Sequence, residues 1–147
     1  MKKIFQTSES NAATILRVVL GVILFPHGAQ KMLGWFGGYG FNGTMGFLTG
    51  TAGLPWIVAF LVIAIEFFGA IALIFGFATR VVAVGIISLF TGIIMTSHYA
   101  NGFFMNWAGN QKGEGYEFHL LVIGIAAALL ISGAGKWSVD YALRSKN

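Results

Sequence analysis

Four long apolar stretches, separated by polar or glycine-rich segments, constrain this chain more than any other feature. We place them at residues 12–31, 55–77, 80–97 and 117–134. A helix that crosses a bilayer needs roughly 20 mostly apolar residues, with a range of about 17 to 25. None of the four stretches alternates apolar and polar residues as a β-barrel strand does, and a backbone in lipid must satisfy its own hydrogen bonds. The sequence therefore predicts an all-α fold, a four-transmembrane-helix bundle.

The composition fits a membrane protein and excludes several other classes. Hydrophobic residues make up 56% of the 147 residues and charged residues only 10%, whereas soluble domains carry about 25% charged residues. A soluble domain of this length could not bury so many apolar side chains. The absence of cysteine excludes disulfides, iron–sulfur clusters and thiol catalysis. We expect residues 1–147 to form a single domain in the lipid bilayer.

The basic residues predict how the helices are oriented. The net charge is +4, but Lys and Arg are scattered at helix ends and do not cluster as in nucleic-acid-binding proteins, so we expect no nucleic-acid partner. Lys31 and Lys112 fall on one side of the predicted bundle. The opposite side carries Lys2, Lys3, Arg80, Lys136, Arg144 and Lys146. Because cytoplasmic loops carry the excess of Lys and Arg, both termini are predicted to be cytoplasmic.

The segment between the first two spans, from Lys31 to Leu54, is rich in glycine and aromatic residues. Aromatic side chains such as Trp35 commonly lie at the depth of the lipid head groups. We therefore predict an interfacial, partly re-entrant loop here, on the outer side of the membrane. A second long outer loop is predicted from Tyr99 to Tyr116.

Glu66 is the most informative polar residue, because it lies near the middle of the second span. A charged residue at that depth costs about 2.5–3.5 kcal/mol on insertion scales and marks a functional or paired position. Arg17, His27 and Lys31 form one polar stripe along the first span. We expect an ion pair between Glu66 and Arg17, with His27 and Lys31 facing an outer cavity; pairing of Glu66 with His27 or Lys31 is the alternative. Such a pair could also serve only to fix the register of the helices.

All three histidines, His27, His98 and His119, fall towards the outer side, where Glu117 also lies. Converging imidazoles and carboxylates can bind a metal, transfer protons or hold the head group of a quinone. A metal site is not predicted, because the chain has no HxxxH or ExxH motif. Glu117 and His119 are also two residues apart, which places them on different faces of a helix.

Small residues recur at helix-packing intervals, with Gly85, Ser88 and Gly92 in the third span and Gly124 and Ala128 in the fourth. Such stripes allow helix backbones to approach closely in lipid. They fit packing inside one bundle and fit a homo-oligomer equally well.

The chain resembles the DoxX family of small bacterial membrane proteins over nearly its whole length from Arg17 onward. The resemblance rests on Arg17, on residues 27–31 (HGAQK), 34–38 (GWFGG) and 41–44 (FNGT), on Glu66, on residues 76–80 (GFATR), on Glu117 and on residues 133–140 (GAGKWSVD). Two departures are Tyr39, where many relatives carry proline, and Ala134, where some do. The resemblance implies a four-helix protein of the bacterial inner membrane. It also implies a link to redox metabolism, because the family has relatives connected to thiosulfate:quinone oxidoreductase.

Three functions are compatible with these residues, and we favour the first. It is a redox-associated, quinone-linked membrane subunit in which Glu66 and His27 carry the proton chemistry. The ligand-binding residues would be Arg17, Lys31, Trp35, His98, Glu117 and His119. The chain has no haem, flavin or iron–sulfur motif, so electrons would come from a redox partner subunit. The alternatives are a non-catalytic scaffold and a transporter of protons or of a small solute.

Overall fold

A computed structural model describes residues 5–144, and this part of the chain is helical, with no β-strand between those residues. The predicted all-α class is confirmed. The helices are α1 (Asn11–Leu33), α2 (Gly40–Gly46), α3 (Trp56–Phe75), α4 (Thr79–Asn101), α5 (Glu117–Ser132) and α6 (Val139–Arg144). Lys2, Lys3 and Lys146, on which the predicted orientation partly depends, lie outside the described residues.

Three of these helices are long and apolar enough to cross a membrane. α1 and α4 have 23 residues each and α3 has 20, which meets the roughly 20 residues that a bilayer requires. α5 is also apolar but has 16 residues. Three of the four predicted spans are therefore of spanning length, and the fourth is a shorter apolar helix.

Local chemistry fixes both ends of α1. The Ser10 hydroxyl accepts a hydrogen bond from the Ala13 amide at 3.2 Å, which satisfies one of the unpaired N–H groups at the start of the helix. Gly34 ends the helix in the left-handed conformation, with a φ of 75°, which glycine adopts without a Cβ clash. The helix continues through Pro26. Arg17 and Lys31 therefore belong to one helix and lie roughly 21 Å apart along its axis.

The segment from Lys31 to Leu54 differs from the predicted interfacial loop, because much of it is helical. A short 3₁₀ turn leads into α2, and a π-helical turn at Phe47–Thr51 follows α2 directly. Phe41, Met45 and Leu48 have the spacing of an apolar helix face, and they pack in one cluster with α3. This burial outweighs the low helix propensity of the glycines, which had favoured a loop.

α1 contacts α2, α3 and α5, while α4 packs along α5. The core consists of aliphatic side chains such as Leu20, Leu73 and Leu129, which are 0% exposed. Gly21 allows α1 to approach α3, because a Cβ at this position would lie 2.8 Å from the Ala70 carbonyl oxygen. Small residues at helix crossings are typical of bundles that pack in lipid.

The first and last described residues meet at one end of the bundle. The Arg144 guanidinium donates to the Thr7 carbonyl at 2.7 Å. The buried Asp140 carboxylate accepts hydrogen bonds from the amides of Ala78 and Thr79 at 2.8 and 2.9 Å. It therefore caps the start of α4, where the helix dipole also favours a negative charge. We call this end of the molecule the terminal end.

Candidate functional site

A cavity of about 830 Å³ lies among α1, α3, α4 and α5, with the π-helical turn after α2 forming one wall. Small-molecule sites commonly have volumes of about 300–1,000 Å³. The lining is mainly apolar. Five of the predicted site residues line it together: His27, Lys31, Glu66, His98 and His119.

Lys31 of α1 and Glu66 of α3 form an ion pair in this cavity, with Lys31 Nζ 2.5 Å from Glu66 Oε2. The Glu66 side chain is 4% exposed and the Lys31 side chain 28% exposed, so the carboxylate is the more deeply buried partner. A buried carboxylate is costly unless a cation or hydrogen-bond donors compensate for its lost hydration. Lys31 supplies that compensation from the neighbouring helix.

Gly28 brings the two helices close enough for this pair. A Cβ at Gly28 would lie 2.5 Å from both the Glu66 carbonyl oxygen and the Phe67 Cα, so α1 touches the backbone of α3 at this point. Lys31 follows Gly28 by three residues and therefore projects from nearly the same face of α1. The backbone contact at Gly28 therefore brings the Lys31 ammonium within hydrogen-bonding distance of the Glu66 carboxylate.

We expect Gly28→Ala to destabilise the protein and to weaken the Lys31–Glu66 pair, because the added methyl group must push α1 and α3 apart. Overpacking of this kind costs about 1–3 kcal/mol. Thermal unfolding in detergent measures the loss. The control is Gly124→Ala in α5, where a Cβ would meet no described atom within 4 Å and where alanine favours the helix. Equal losses in both variants would contradict the close contact at Gly28.

The predicted ion pair between Glu66 and Arg17 is wrong. Arg17 is buried at the terminal end of α1, where its guanidinium donates only to backbone carbonyls among the residues described. The acceptors are Ala134 at 2.8 Å, Leu73 at 3.1 Å, Ile74 at 2.5 Å, Lys136 at 3.3 Å and Trp137 at 2.7 Å. The last carbonyls of a helix have no partner within that helix, and a guanidinium with five N–H groups can satisfy several of them. Arg17 therefore ties the end of α3 to the turn after α5.

His98 and His119 form a second polar pair in the cavity lining, with ring centroids 4.2 Å apart. His98 Nδ1 lies 2.8 Å from the Glu114 carbonyl oxygen. Because that oxygen can only accept, Nδ1 carries the proton, and Nε2 of a neutral His98 is an acceptor. His119 Nδ1 is buried and has no hydrogen-bond partner among residues 5–144. Buried polar atoms are normally paired, so this nitrogen is an unsatisfied group in the wall of the cavity that His119 lines.

All three π-helical turns of the described chain line this cavity. Ile65–Gly69 in α3 carries Glu66, Ile94–His98 in α4 carries His98, and Phe47–Thr51 forms the wall after α2. A π-helical turn inserts an extra residue into a helix and re-aims the side chains around it, and such turns frequently occur at functional sites. These turns could not be predicted from the sequence, because apolar periodicity does not reveal a single wide turn.

Three predicted binding residues do not line the cavity, namely Arg17, Trp35 and Glu117. Trp35 is 54% exposed. Glu117 accepts hydrogen bonds from the Met105 amide at 2.9 Å and from Trp107 Nε1 at 3.3 Å. It thereby holds the loop before α5, and Met105 of that loop lines the cavity.

Further polar residues that were not predicted from the sequence also line the cavity, among them Thr96, Ser97 and Glu114. Thr96 and Ser97 directly precede His98 in the sequence, and this short polar run at the end of an apolar span was the available signal. Within the described residues, no group of three or more His, Cys, Asp or Glu side chains could hold a metal ion.

Comparison with known proteins identifies the family. A sequence model of the DoxX family matches residues 12–99, which include Arg17, His27, Lys31, Glu66 and His98. The chain belongs to the DoxX family. This DoxX member is 35% identical over 115 residues to "Putative oxidoreductase CatD" of Bacillus subtilis, with 78% of this chain and 75% of CatD covered. It is 29% identical over 147 residues to inner membrane protein YqjF of Escherichia coli, with 99% of each chain covered. No solved structure gives a significant match.

Proposed function

We propose that this DoxX-family membrane protein binds the head group of a quinone in the 830 Å³ cavity and transfers protons there, as a subunit of a membrane oxidoreductase. One observation carries the proposal. A buried carboxylate–ammonium pair and a pair of imidazoles line the same mainly apolar cavity in a membrane protein. Polar groups that converge in an apolar pocket are the usual mark of a ligand site.

The residues present fit a quinone, which is a flat apolar ring with two carbonyl oxygens that need hydrogen-bond donors. Lys31 offers an ammonium donor, and the imidazole of His119, which also lines the cavity, offers a second polar contact. Phe90 and Phe118 supply aromatic surface in the same lining, against which a flat ring can pack. The cavity volume allows a head group and the first part of an isoprenoid tail.

A bound quinone supplies the redox chemistry, because its reduction takes up two electrons and two protons. In this proposal Lys31 orients one quinone oxygen, and the Glu66 carboxylate beside it accepts a proton and passes it on. The His119 imidazole contacts the quinone ring. His98 donates its Nδ1 proton in a hydrogen bond to the Glu114 carbonyl. His27, exposed at the rim of the cavity, exchanges protons with water. The electrons come from a redox partner subunit, which fits the name of the relative CatD.

The topology that accompanies this function has four spans, with both termini in the cytoplasm of a bacterial cell. The packing of α5 along α4 supports a fourth span, because its 16 residues cover roughly 24 Å and its polar flanks can reach the head groups. Arg80, Lys136 and Arg144 belong to the terminal end, and Lys112 belongs to the loop before α5. The excess of basic residues supports a cytoplasmic terminal end. The name of the relative YqjF supports an inner-membrane location.

Equilibrium binding of a radiolabelled short-tail quinone to the protein in lipid nanodiscs tests this function. We expect saturable, stoichiometric binding to the unmodified protein. We expect about tenfold weaker binding for His119→Leu, because a hydrogen bond in an apolar site contributes roughly 1.4 kcal/mol. Trp35→Leu is the control, since this exposed aromatic side chain lies outside the cavity and its loss should leave the affinity unchanged. Absence of saturable binding, or unchanged binding by His119→Leu, would overturn the assignment.

A further inference from the structure

A second cavity, of about 350 Å³, lies at the terminal end and is unrelated to the proposed quinone site. Its lining combines the guanidinium groups of Arg80 and Arg144 with the hydroxyl residues Thr7, Ser8 and Ser132. No acidic side chain of residues 5–144 lines it. We propose that this cavity binds a phosphate group, carried either by the head group of an anionic lipid or by a free phosphate ion.

Backbone carbonyls hold both guanidinium groups in place. Arg80 donates from Nε to the Gln6 carbonyl at 3.0 Å and from Nη2 to the Ile131 carbonyl at 2.9 Å. Arg144 donates from Nη1 to the Thr7 carbonyl at 2.7 Å. A guanidinium has five N–H groups. These bonds use two of them on Arg80 and one on Arg144, so both side chains keep N–H groups for a ligand. The two arginines are thus anchored in advance, and a ligand does not have to order them.

The charge balance at the terminal end favours an anion. The carboxylate of Asp140 is buried against the amides of Ala78 and Thr79. The carboxylate of Glu9 accepts a hydrogen bond from the Tyr141 hydroxyl at 3.2 Å. Neither carboxylate lines the cavity, so the two arginines share a pocket without a compensating charge from the described residues. The planar guanidinium group matches phosphate oxygens in a bidentate geometry.

The position of the cavity suits a lipid head group in particular. Arg80 is in the first turn of α4, and Ile131 and Ser132 are the last residues of α5. The cavity therefore lies where the apolar helices end, at the depth of lipid phosphates. Basic pockets between helix ends on the cytoplasmic side of membrane proteins bind anionic head groups.

Thermal unfolding of the purified protein in mixed micelles tests the proposal, with phosphatidylglycerol, phosphatidylcholine of the same acyl chains, or inorganic phosphate added. We expect phosphatidylglycerol to raise the midpoint by about 2–4 °C, because the ligand binds only the folded state. Native mass spectrometry on the same samples should show bound phosphatidylglycerol. The matched control for loss of one positive charge is Lys112→Gln, on an exposed loop outside this cavity.

The expected result is that Arg80→Gln and Arg144→Gln each lose most of the rise, while Lys112→Gln keeps it. An equal rise with inorganic phosphate also supports the site and identifies a soluble phosphate as its ligand. If Arg80→Gln does not fold, then Arg144→Gln and Arg80→Lys decide, and Arg80→Lys should keep part of the rise. Equal rises with phosphatidylglycerol and phosphatidylcholine would overturn the proposal. So would the absence of a rise with both phosphatidylglycerol and inorganic phosphate, or a rise that both Arg80→Gln and Arg144→Gln retain.

Discussion

Arg17→Met is expected to lower the free energy of unfolding by about 3–5 kcal/mol. The guanidinium is 2% exposed. It donates to carbonyls at the end of α3 and in the turn after α5. A methionine fills similar space but removes the guanidinium donors from the Ala134 and Trp137 carbonyls, whereas the Leu73 carbonyl still accepts from the Gly76 amide at 3.1 Å. A buried carbonyl that loses its donor costs about 1–3 kcal/mol of desolvation. The yield of folded protein from membranes and the unfolding midpoint in detergent measure the effect.

Arg17→Lys separates charge from geometry. Lysine keeps the positive charge but lacks the planar fork that serves several carbonyls at once, so we expect a loss intermediate between wild type and Arg17→Met. Arg17→Met combined with Glu66→Gln should show additive losses, because Arg17 binds carbonyls at the terminal end of the bundle whereas Glu66 of α3 pairs with Lys31 near the opposite end of α1, and the two share no partner among the described residues. Recovery of stability in that double variant would show that the two side chains are paired after all.

Lys31→Met is expected to lower the free energy of unfolding by a similar amount, about 3–5 kcal/mol. It leaves Glu66, whose side chain is 4% exposed, without a counter-charge in an apolar cavity. Glu66→Gln should cost less, because the Lys31 side chain is 28% exposed and a long lysine can extend its ammonium towards water. Unfolding midpoints of the two single variants test this order. Equal losses would show that the two partners are buried alike.

The double variant Lys31→Met with Glu66→Leu distinguishes a structural pair from a functional one. Replacing both members of a buried ion pair with apolar residues is often neutral or stabilising, so we expect the midpoint to recover. Quinone binding should not recover, and we expect it to stay at least about tenfold weaker because the donor from Lys31 is gone. A double variant that binds quinone as well as wild type would support the scaffold function instead.

Helix class and the identity of the polar residues could be predicted from the sequence, because both depend on local pattern. An apolar run of spanning length must satisfy its backbone hydrogen bonds within itself, and without strand-like alternation it does so as an α-helix. Glu66 is recognisable as a polar exception in such a run wherever the helix begins and ends. Segment 31–54 was harder to predict. Its glycines indicate a loop, while the spacing of Phe41, Met45 and Leu48 matters only once α3 offers a surface to pack against.

The partner of Glu66 could not be predicted, because pairing depends on where helices touch. Arg17 and Lys31 are both cations on one face of α1, and nothing in the sequence shows which of them lies where α1 touches α3. Gly28 decides between them, since its missing side chain places the backbone contact near Lys31. The carbonyls that bind Arg17 come from helix ends and turns distant in sequence. Because they are backbone groups, no side-chain motif predicts which of them Arg17 will contact.

We propose that the cavity between the Lys31–Glu66 pair and the His98–His119 pair holds a quinone head group. Photolabelling in membranes with an azido-quinone, followed by peptide mapping, tests it most directly. We expect label on cavity-lining segments such as Phe47–Thr51 and Ile94–His98. That label should be displaced by unlabelled quinone. Label confined to outward-facing residues such as Ile15, Phe75 or Leu121, and not displaced by competitor, would contradict it.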